Sequence, residues 1–253
     1  MTGEGGEDRP RVIAITGAGG ALGAAVSRRL ASEPRTAVVL SDVSESSLAA
    51  TVAGLGDVPS PVATIIADVR DPVAVEGVVG LAVERFGGLD VLVSNAGVLT
   101  PNGRIHNQTA EDWDRAFGIN VLGAVHGISA AVAVMRPRRA GSIILTGSVA
   151  GMTAWSHAAP YCATKAAVIQ LAKVAAVEYA ADGIRVNCVC PGTFRSAIHD
   201  GLPDDALDAI AARHPLGLGS ADDLVGAYSY LASDDSRWTT GAALVVDGGY
   251  AAP

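Results

Sequence analysis

The run VIAITGAGGALGAAVSRRLA at residues 12–31 decides the fold. Val12–Thr16 is short, apolar and β-branched, which reads as a strand covered on both faces. Thr16-Gly17-Ala18-Gly19-Gly20-Ala21-Leu22-Gly23 follows without a gap, and an Ala-rich helical stretch comes next. Glycines between a strand and a helix allow a tight turn and let backbone approach a pyrophosphate closely. The helix N-terminus adds free amides and a partial positive charge. The common G-x-G-x-x-G spacing fails, because Leu22 stands at its third glycine position. A Gly-rich turn can be purely structural. Its place after the first strand is where a dinucleotide fingerprint belongs.

Six more apolar runs read as strands: Ala37–Ser41, Val62–Ala67, Val91–Ser94, Ser142–Thr146, Arg185–Val189 and Ala243–Val246. Helical patterns fill most of the gaps. Seven such strands with helical crossovers predict an α/β fold, a doubly wound, Rossmann-like parallel sheet with helices on both faces. The 253 residues suit one such domain, and no linker, repeat or low-complexity tract divides them. Residues 1–10 are Gly- and Glu-rich without an apolar core, so they predict a disordered tail rather than a signal peptide, with the domain over 11–253.

Net charge is -8 and the sequence pI about 5.0, which argues against nucleic acid or an anionic membrane surface as partner. Residues 141–164 carry no Asp, Glu, Lys or Arg, but Gly, Ser, Thr and Pro interrupt them, so they do not read as membrane-spanning. Cys162, Cys188 and Cys190 have neither metal-ligand spacing nor an even count, so no metal is expected. Unpaired thiols fit a reducing cytoplasm. Ile119–Met135 and Cys162–Ala181 read as helices apolar nearly all round. Such a helix needs cover on every face, and the sheet supplies only one. The expectation is a homo-oligomer, dimer or tetramer, built through these two helices.

Asp42 follows the second strand, 19 residues after Gly23, about where an acidic residue meets the ribose hydroxyls of NAD. A helix N-cap is the competing reading for Ser41, Asp42 and Ser44. No Arg or Lys lies between Gly17 and Gly23 or just after Asp42, so a 2′-phosphate would meet a carboxylate without a cation. NAD is therefore expected over NADP. Asp68, at the end of the third strand, suits either the adenine amino group or the cap of the helix after Asp71-Pro72. Asn95-Ala96-Gly97 follows the fourth strand, where small residues leave room for a ligand; an ordinary turn is the alternative.

Tyr161 and Lys165 are four residues apart on a predicted helix, so both project from one face. A neighbouring positive charge favours the phenolate and brings a Tyr into reach as an acid–base group. A core Tyr beside a solvent-seeking Lys would show the same spacing.

In order and spacing, TGAGGALG at 16–23, ADV at 67–69, NAG at 95–97, Asn120 in INVLG, Ser148 in TGSVAG, YCATK at 161–165, PG at 191–192 and VDGG at 246–249 resemble the short-chain dehydrogenase/reductase family, in its branch of roughly 250-residue enzymes. The resemblance covers nearly the whole chain and implies a nicotinamide-dependent oxidoreductase interconverting secondary alcohols and ketones. It implies Tyr161 as general acid/base and Lys165 as the group that lowers the Tyr pKa and holds the nicotinamide ribose. Ser148 then steadies the substrate oxygen, and Asn120 holds a water in a proton relay. It further implies cofactor contacts from Gly17, Gly19, Gly20, Ala21, Leu22, Gly23, Asp42, Val43, Asp68, Val69, Asn95, Ala96, Gly97, Tyr161, Lys165, Pro191, Gly192 and Ser196.

The departures are mild: Ala21 where Gly is commoner, Ser94 where the family repeats Asn, and Ser196 where it often has Thr. The glycine run also fits the nucleotide-sugar epimerase and dehydratase branch, but only 61 residues follow Gly192, too few for that branch's substrate domain. Enoyl-reductase variants place more residues between Tyr and Lys. A 3-oxoacyl-thioester reductase remains an alternative, and a non-catalytic dinucleotide binder would be expected to show a broken tetrad. The substrate pocket is expected around Val98–Pro101, Val149–His157 and a lid from Thr193 to about Pro215. Trp155, Met152, Phe194 and Ile198 suggest an apolar, cyclic or steroid-like substrate, with His157 and His199 open as polar contacts.

Overall fold

The computed structural model describes residues 9–196 and 204–252. Seven parallel strands form one sheet in the order β3-β2-β1-β4-β5-β6-β7. They are β1 (Arg11–Thr16), β2 (Thr36–Asp42), β3 (Val62–Ile66), β4 (Val91–Ser94), β5 (Gly141–Thr146), β6 (Ile184–Pro191) and β7 (Ala243–Val246). The expected strands are all present. Most gain a residue or two at an end, β6 running on to Pro191, and β3 stops one residue early at Ile66.

Alternation along β1 divides the interior in two. Val12 and Ala14 face α3 (Pro72–Phe86), α5 (Gly123–Met135) and α6 (Ala159–Tyr179). Ile13 and Ile15 face α1 (Ala21–Ala31), α2 (Glu45–Ala53) and α8 (Val225–Ala232). Because side chains alternate along a strand, each strand can serve both layers. β1 pairs with β2 on one side and β4 on the other, so the chain leaves β1 and β4 in opposite directions. The crevice opens between these carboxyl ends, the usual ligand position in such sheets.

The helix expected over Ile119–Met135 begins earlier and is not regular. α4 (Ala110–Ala116) starts under a capping box of Thr109 and Asp112, and a wide π turn over Phe117–Leu122 joins it to α5. The polar AEDWDRA start hid that beginning. The continuous run Ala110–Arg138 is long and apolar enough to cross a membrane by length and composition. Here it packs on α3, β4 and β5, as a core helix of the sheet. α6 starts at Ala159, ahead of the expected Cys162, with Pro160 in its first turn, where a missing N–H does no harm.

Candidate active site

The glycine turn is held by backbone contact. Gly17 has φ +66°, and a Cβ there would stand 2.6 Å from the Ala96 Cα. A Cβ on Gly23 would collide with the Gly17 carbonyl, so α1 rises directly from the turn. No side chain caps α1 and no acidic residue lies in its first turn, so its amides stay open toward the crevice. Asn95 ties the strand ends together. Its Nδ2 donates to the carbonyls of Thr16 (3.2 Å) and Gly17 (3.0 Å), and its Oδ1 accepts from Thr146 Oγ1 (3.3 Å).

Asp42 ends β2 and accepts from the Gly19 amide (2.8 Å) and the Ser44 amide (2.9 Å). The cap of α2 is Ser44, whose hydroxyl accepts from Ser47 N–H, so Asp42 is not that cap. Likewise Asp71 caps α3 by accepting from Val73 N–H (2.9 Å). Asp68 instead grips Arg70, with Nη2 at 2.6 Å, and the Arg70 hydrogen bonds hold its carboxyl below the usual range. Arg70 and Arg115 both line the crevice, although the sequence reading placed neither there. Arg70 is two residues from Asp68, a visible signal, whereas Arg115 arrives on α4 from far along the chain.

The crevice is a cavity of about 810 Å³. Its lining brings together all the expected cofactor positions, Gly17 through Ser196, together with Ser148, Tyr161 and Lys165. The volume, the uncapped α1 and the glycine turn, which side chains would fill, fit a dinucleotide.

Ser148 follows β5, where its Oγ accepts from Ala150 N–H (3.1 Å). Its hydroxyl also stands close enough to the Tyr161 phenol to act on that group's acidity. Burial pushes that phenol up, and the Ser148 hydroxyl pulls it partly back. This differs from the expected lowering by Lys165, whose Nζ stands 5.7 Å from the Tyr161 ring centroid. Lys165 is itself desolvated: burial lowers it from 10.5 to about 8, against an opposing influence from Cys188 and Cys190. Its Nζ donates to the Thr146 carbonyl at 2.7 Å. Desolvation thus works against the charged form of each group.

Asn120 lies on the wide turn and is buried. Its Oδ1 accepts from Val98 N–H (2.8 Å), and its Nδ2 donates to the Val98 carbonyl (3.0 Å) and Thr164 Oγ1 (3.0 Å). The side chain is thereby tied to Val98 and Thr164. π turns often mark functional positions because they redirect one side chain out of the helical phase.

Val98, Leu99, Ile119, Trp155, Thr193 and Phe194 also line the crevice. Met152 is half exposed and outside it. His157 is also outside: it sits at φ +67°, exposed, hydrogen-bonded to Ser156 at 2.8 Å. Ile198 and His199, and the centre of the expected lid, lie outside the described residues. His214, which sequence reasoning missed, is buried, accepts from Thr193 N–H at Nε2 (3.2 Å) and donates from Nδ1 to Ile210 O (2.9 Å). These bonds fix the tautomer with its proton on Nδ1. Among the described residues no cluster of metal-ligating side chains occurs, and the three cysteines are free.

The family model described as enoyl-(acyl carrier protein) reductase matches residues 17–251. The cis-4-hydroxycyclohexanecarboxylate dehydrogenase of Sinomonas cyclohexanicum is 38% identical over 96% of this chain and 97% of that protein. The 2,5-dichloro-2,5-cyclohexadiene-1,4-diol dehydrogenase of Sphingobium indicum is 35% identical over 95% and 96%. Among solved structures, levodione reductase superposes with a TM-score of 0.89 at 31% identity, covering 96% of this chain and 98% of that one. With the sheet order and the crevice as described, the chain belongs to the short-chain dehydrogenase/reductase family and is a nicotinamide-dependent oxidoreductase of secondary alcohols and ketones.

Proposed function

We propose that the protein is an NAD-dependent dehydrogenase of secondary alcohols on a small carbocycle, working through Asn120, Ser148, Tyr161 and Lys165. One observation carries the reading: Ser148, Tyr161 and Lys165 line the same crevice as the glycine turn and Asp42, with the Lys165 Nζ 5.7 Å from the Tyr161 ring centroid. The bound nicotinamide supplies the hydride acceptor for oxidation, or the donor for reduction. Tyr161 Oη takes the hydroxyl proton of the alcohol, or returns it to the ketone oxygen. The Ser148 hydroxyl donates to that oxygen as charge gathers on it. The Lys165 ammonium favours the phenolate once a second positive charge joins the site. Asn120 positions this apparatus by holding Val98. The two dehydrogenases named above act on rings, and the apolar lining by Trp155, Phe194, Leu99 and Val98 suits such a skeleton.

Asp42 supports NAD over NADP. Its carboxylate closes the crevice beside Val43 and is braced by two amides, so it cannot swing away from a 2′-phosphate. Arg70 offers little counterweight, being gripped by Asp68. The wild type should oxidise cyclic secondary alcohols with NAD in preference to NADP. D42S should move the kcat/KM ratio toward NADP by at least about tenfold, since 1.4 kcal/mol of relieved repulsion is enough. Steady-state kinetics over a panel of cyclic alcohols checks both; an NADP-preferring wild type would refute the role of Asp42.

Phe117 and Leu122 on the wide turn, and Val174 and Val177 on α6, expose apolar surface at 38%, 51%, 44% and 82%. The wide turn packs on α6, so these side chains lie on adjoining elements. A second copy of the chain is the cover that suits this face. Sedimentation velocity should find a dimer or tetramer, and V177E should reduce its mass; a monomeric wild type sinks the proposal.

A further inference from the structure

One side chain of the crevice carries a polar atom that the proposed reaction leaves unused. Trp155 lies between Ser148 and Tyr161 in the chain, and its ring centroid stands 6.1 Å from that of Tyr161. The indole lines the crevice. Its Nε1 is buried and has no hydrogen-bond partner among the described residues. An indole nitrogen only donates. A buried donor without an acceptor is costly, and native structures keep few of them.

The ring is also firmly placed. Tyr250 packs edge-on against it with centroids 6.2 Å apart. Tyr250 is backed in turn by the His214 ring at 4.9 Å and by the Arg213 guanidinium 4.7 Å over its face. His214 is itself pinned between Ile210 and Thr193. The C-terminal segment and the residues just after α7 (Asp204–Ala211) therefore hold the plane of the indole. Such a fixed, desolvated donor selects by hydrogen bonding far more sharply than an apolar wall does, because a ligand lacking the acceptor leaves the donor unpaired.

We infer, building on the reaction proposed above, that Trp155 Nε1 anchors a second oxygen of the substrate. The molecule that reacts at Tyr161 carries a hydroxyl, keto or carboxylate oxygen elsewhere on its ring, and that oxygen accepts from the indole. Indole and phenol both line the crevice with ring centroids 6.1 Å apart, a separation on the scale of one carbocycle. An ammonium group at that position is excluded, since it has no lone pair to offer. Trp155 is thus a specificity residue, distinct from the groups that move protons.

The test is calorimetric titration of the full-length protein saturated with reduced cofactor, where an alcohol binds but has no oxidant. Cyclohexane-1,4-diol should bind at least about tenfold more tightly than cyclohexanol, the equivalent of one good hydrogen bond. W155F keeps an aromatic ring against Tyr250 but lacks the N–H, and should bring the ratio of the two affinities near one. A wild type without preference for the diol, a diol that fails to bind, or a W155F protein that keeps the ratio would each overturn the inference. Turnover is read separately with oxidised cofactor. Tight diol binding without oxidation would refute the proposed reaction and leave the Trp155 anchor standing.

Discussion

Replacing Tyr161 by Phe should lower kcat by about 10²–10⁴-fold, the usual worth of a positioned acid–base group. The ring remains, so its contact with Trp155 at 6.1 Å and the start of α6 persist. Only the hydroxyl is lost, and with it the proton acceptor and the partner of Ser148. Cofactor affinity should change by less than about threefold, since the glycine turn and Asp42 are untouched. The pH profile offers a second reading. Burial holds the phenol up, so the neutral form, the one needed to protonate a ketone, dominates at neutral pH. Alcohol oxidation in the wild type should therefore rise with pH, while the residual rate of Y161F should lose that dependence. Retention of more than about a tenth of the wild-type kcat would remove Tyr161 from the chemistry.

Replacing Lys165 by Met should have two opposed effects. Activity should fall by at least about 10²-fold, because the ammonium beside the phenol is lost. Stability should rise. The folded pKa of Lys165 is lowered from 10.5 to about 8 by burial, which corresponds to a penalty on the order of 3 kcal/mol on its charged form. Between about pH 8 and 10.5 the unfolded chain holds the proton that the folded chain has shed, so wild-type stability from this group grows as pH rises through that window. Below about 8 the whole penalty is present. Met fills a similar volume without charge. Removing the bond to Thr146 gives back roughly 1 kcal/mol. K165M should then be more stable than wild type by roughly 1–3 kcal/mol at pH 7, converging toward it by pH 10.5. Urea denaturation of cofactor-free protein at the two pH values measures this. A K165M protein less stable than wild type at pH 7 would show that Lys165 is held in a more favourable environment than its burial implies.

Much of this was visible in the residues alone. The β-branched runs located all seven strands, since a strand buried on both faces has no polar alternation to blur it. The glycine turn, Ser148 and the Tyr161–Lys165 pair lie together in the crevice because each sits at the end of a strand or on the helix packed against it. What was not legible depends on geometry. The widening over Phe117–Leu122 leaves no periodic trace, as the residues on either side are helical too. For Asp42 and Asp68 a helix cap competed with cofactor binding, and the structure gives that work to Ser44 and Asp71 instead. His214 and Tyr250 reach Thr193 and Trp155 from far along the chain, where no local spacing announces them. The mutual desolvation of Tyr161 and Lys165 was also hidden, since a four-residue spacing says nothing about how deeply the pair is buried.

The bond pair between Asn120 and Val98 has a wider meaning. A carboxamide that accepts from one residue's N–H and donates to the same residue's C=O reproduces what a neighbouring β-strand would offer. The chain just beyond β4 runs past the edge of the sheet, where no strand accompanies it. Asn120 acts there as a surrogate strand one side chain long. Aspartate would have no donor for the Val98 carbonyl, leucine neither donor nor acceptor, and glutamine a different reach. An asparagine in a buried helical rod, unfavourable by helix propensity alone, is thus the residue that extends the sheet's hydrogen-bonding past its own last rung.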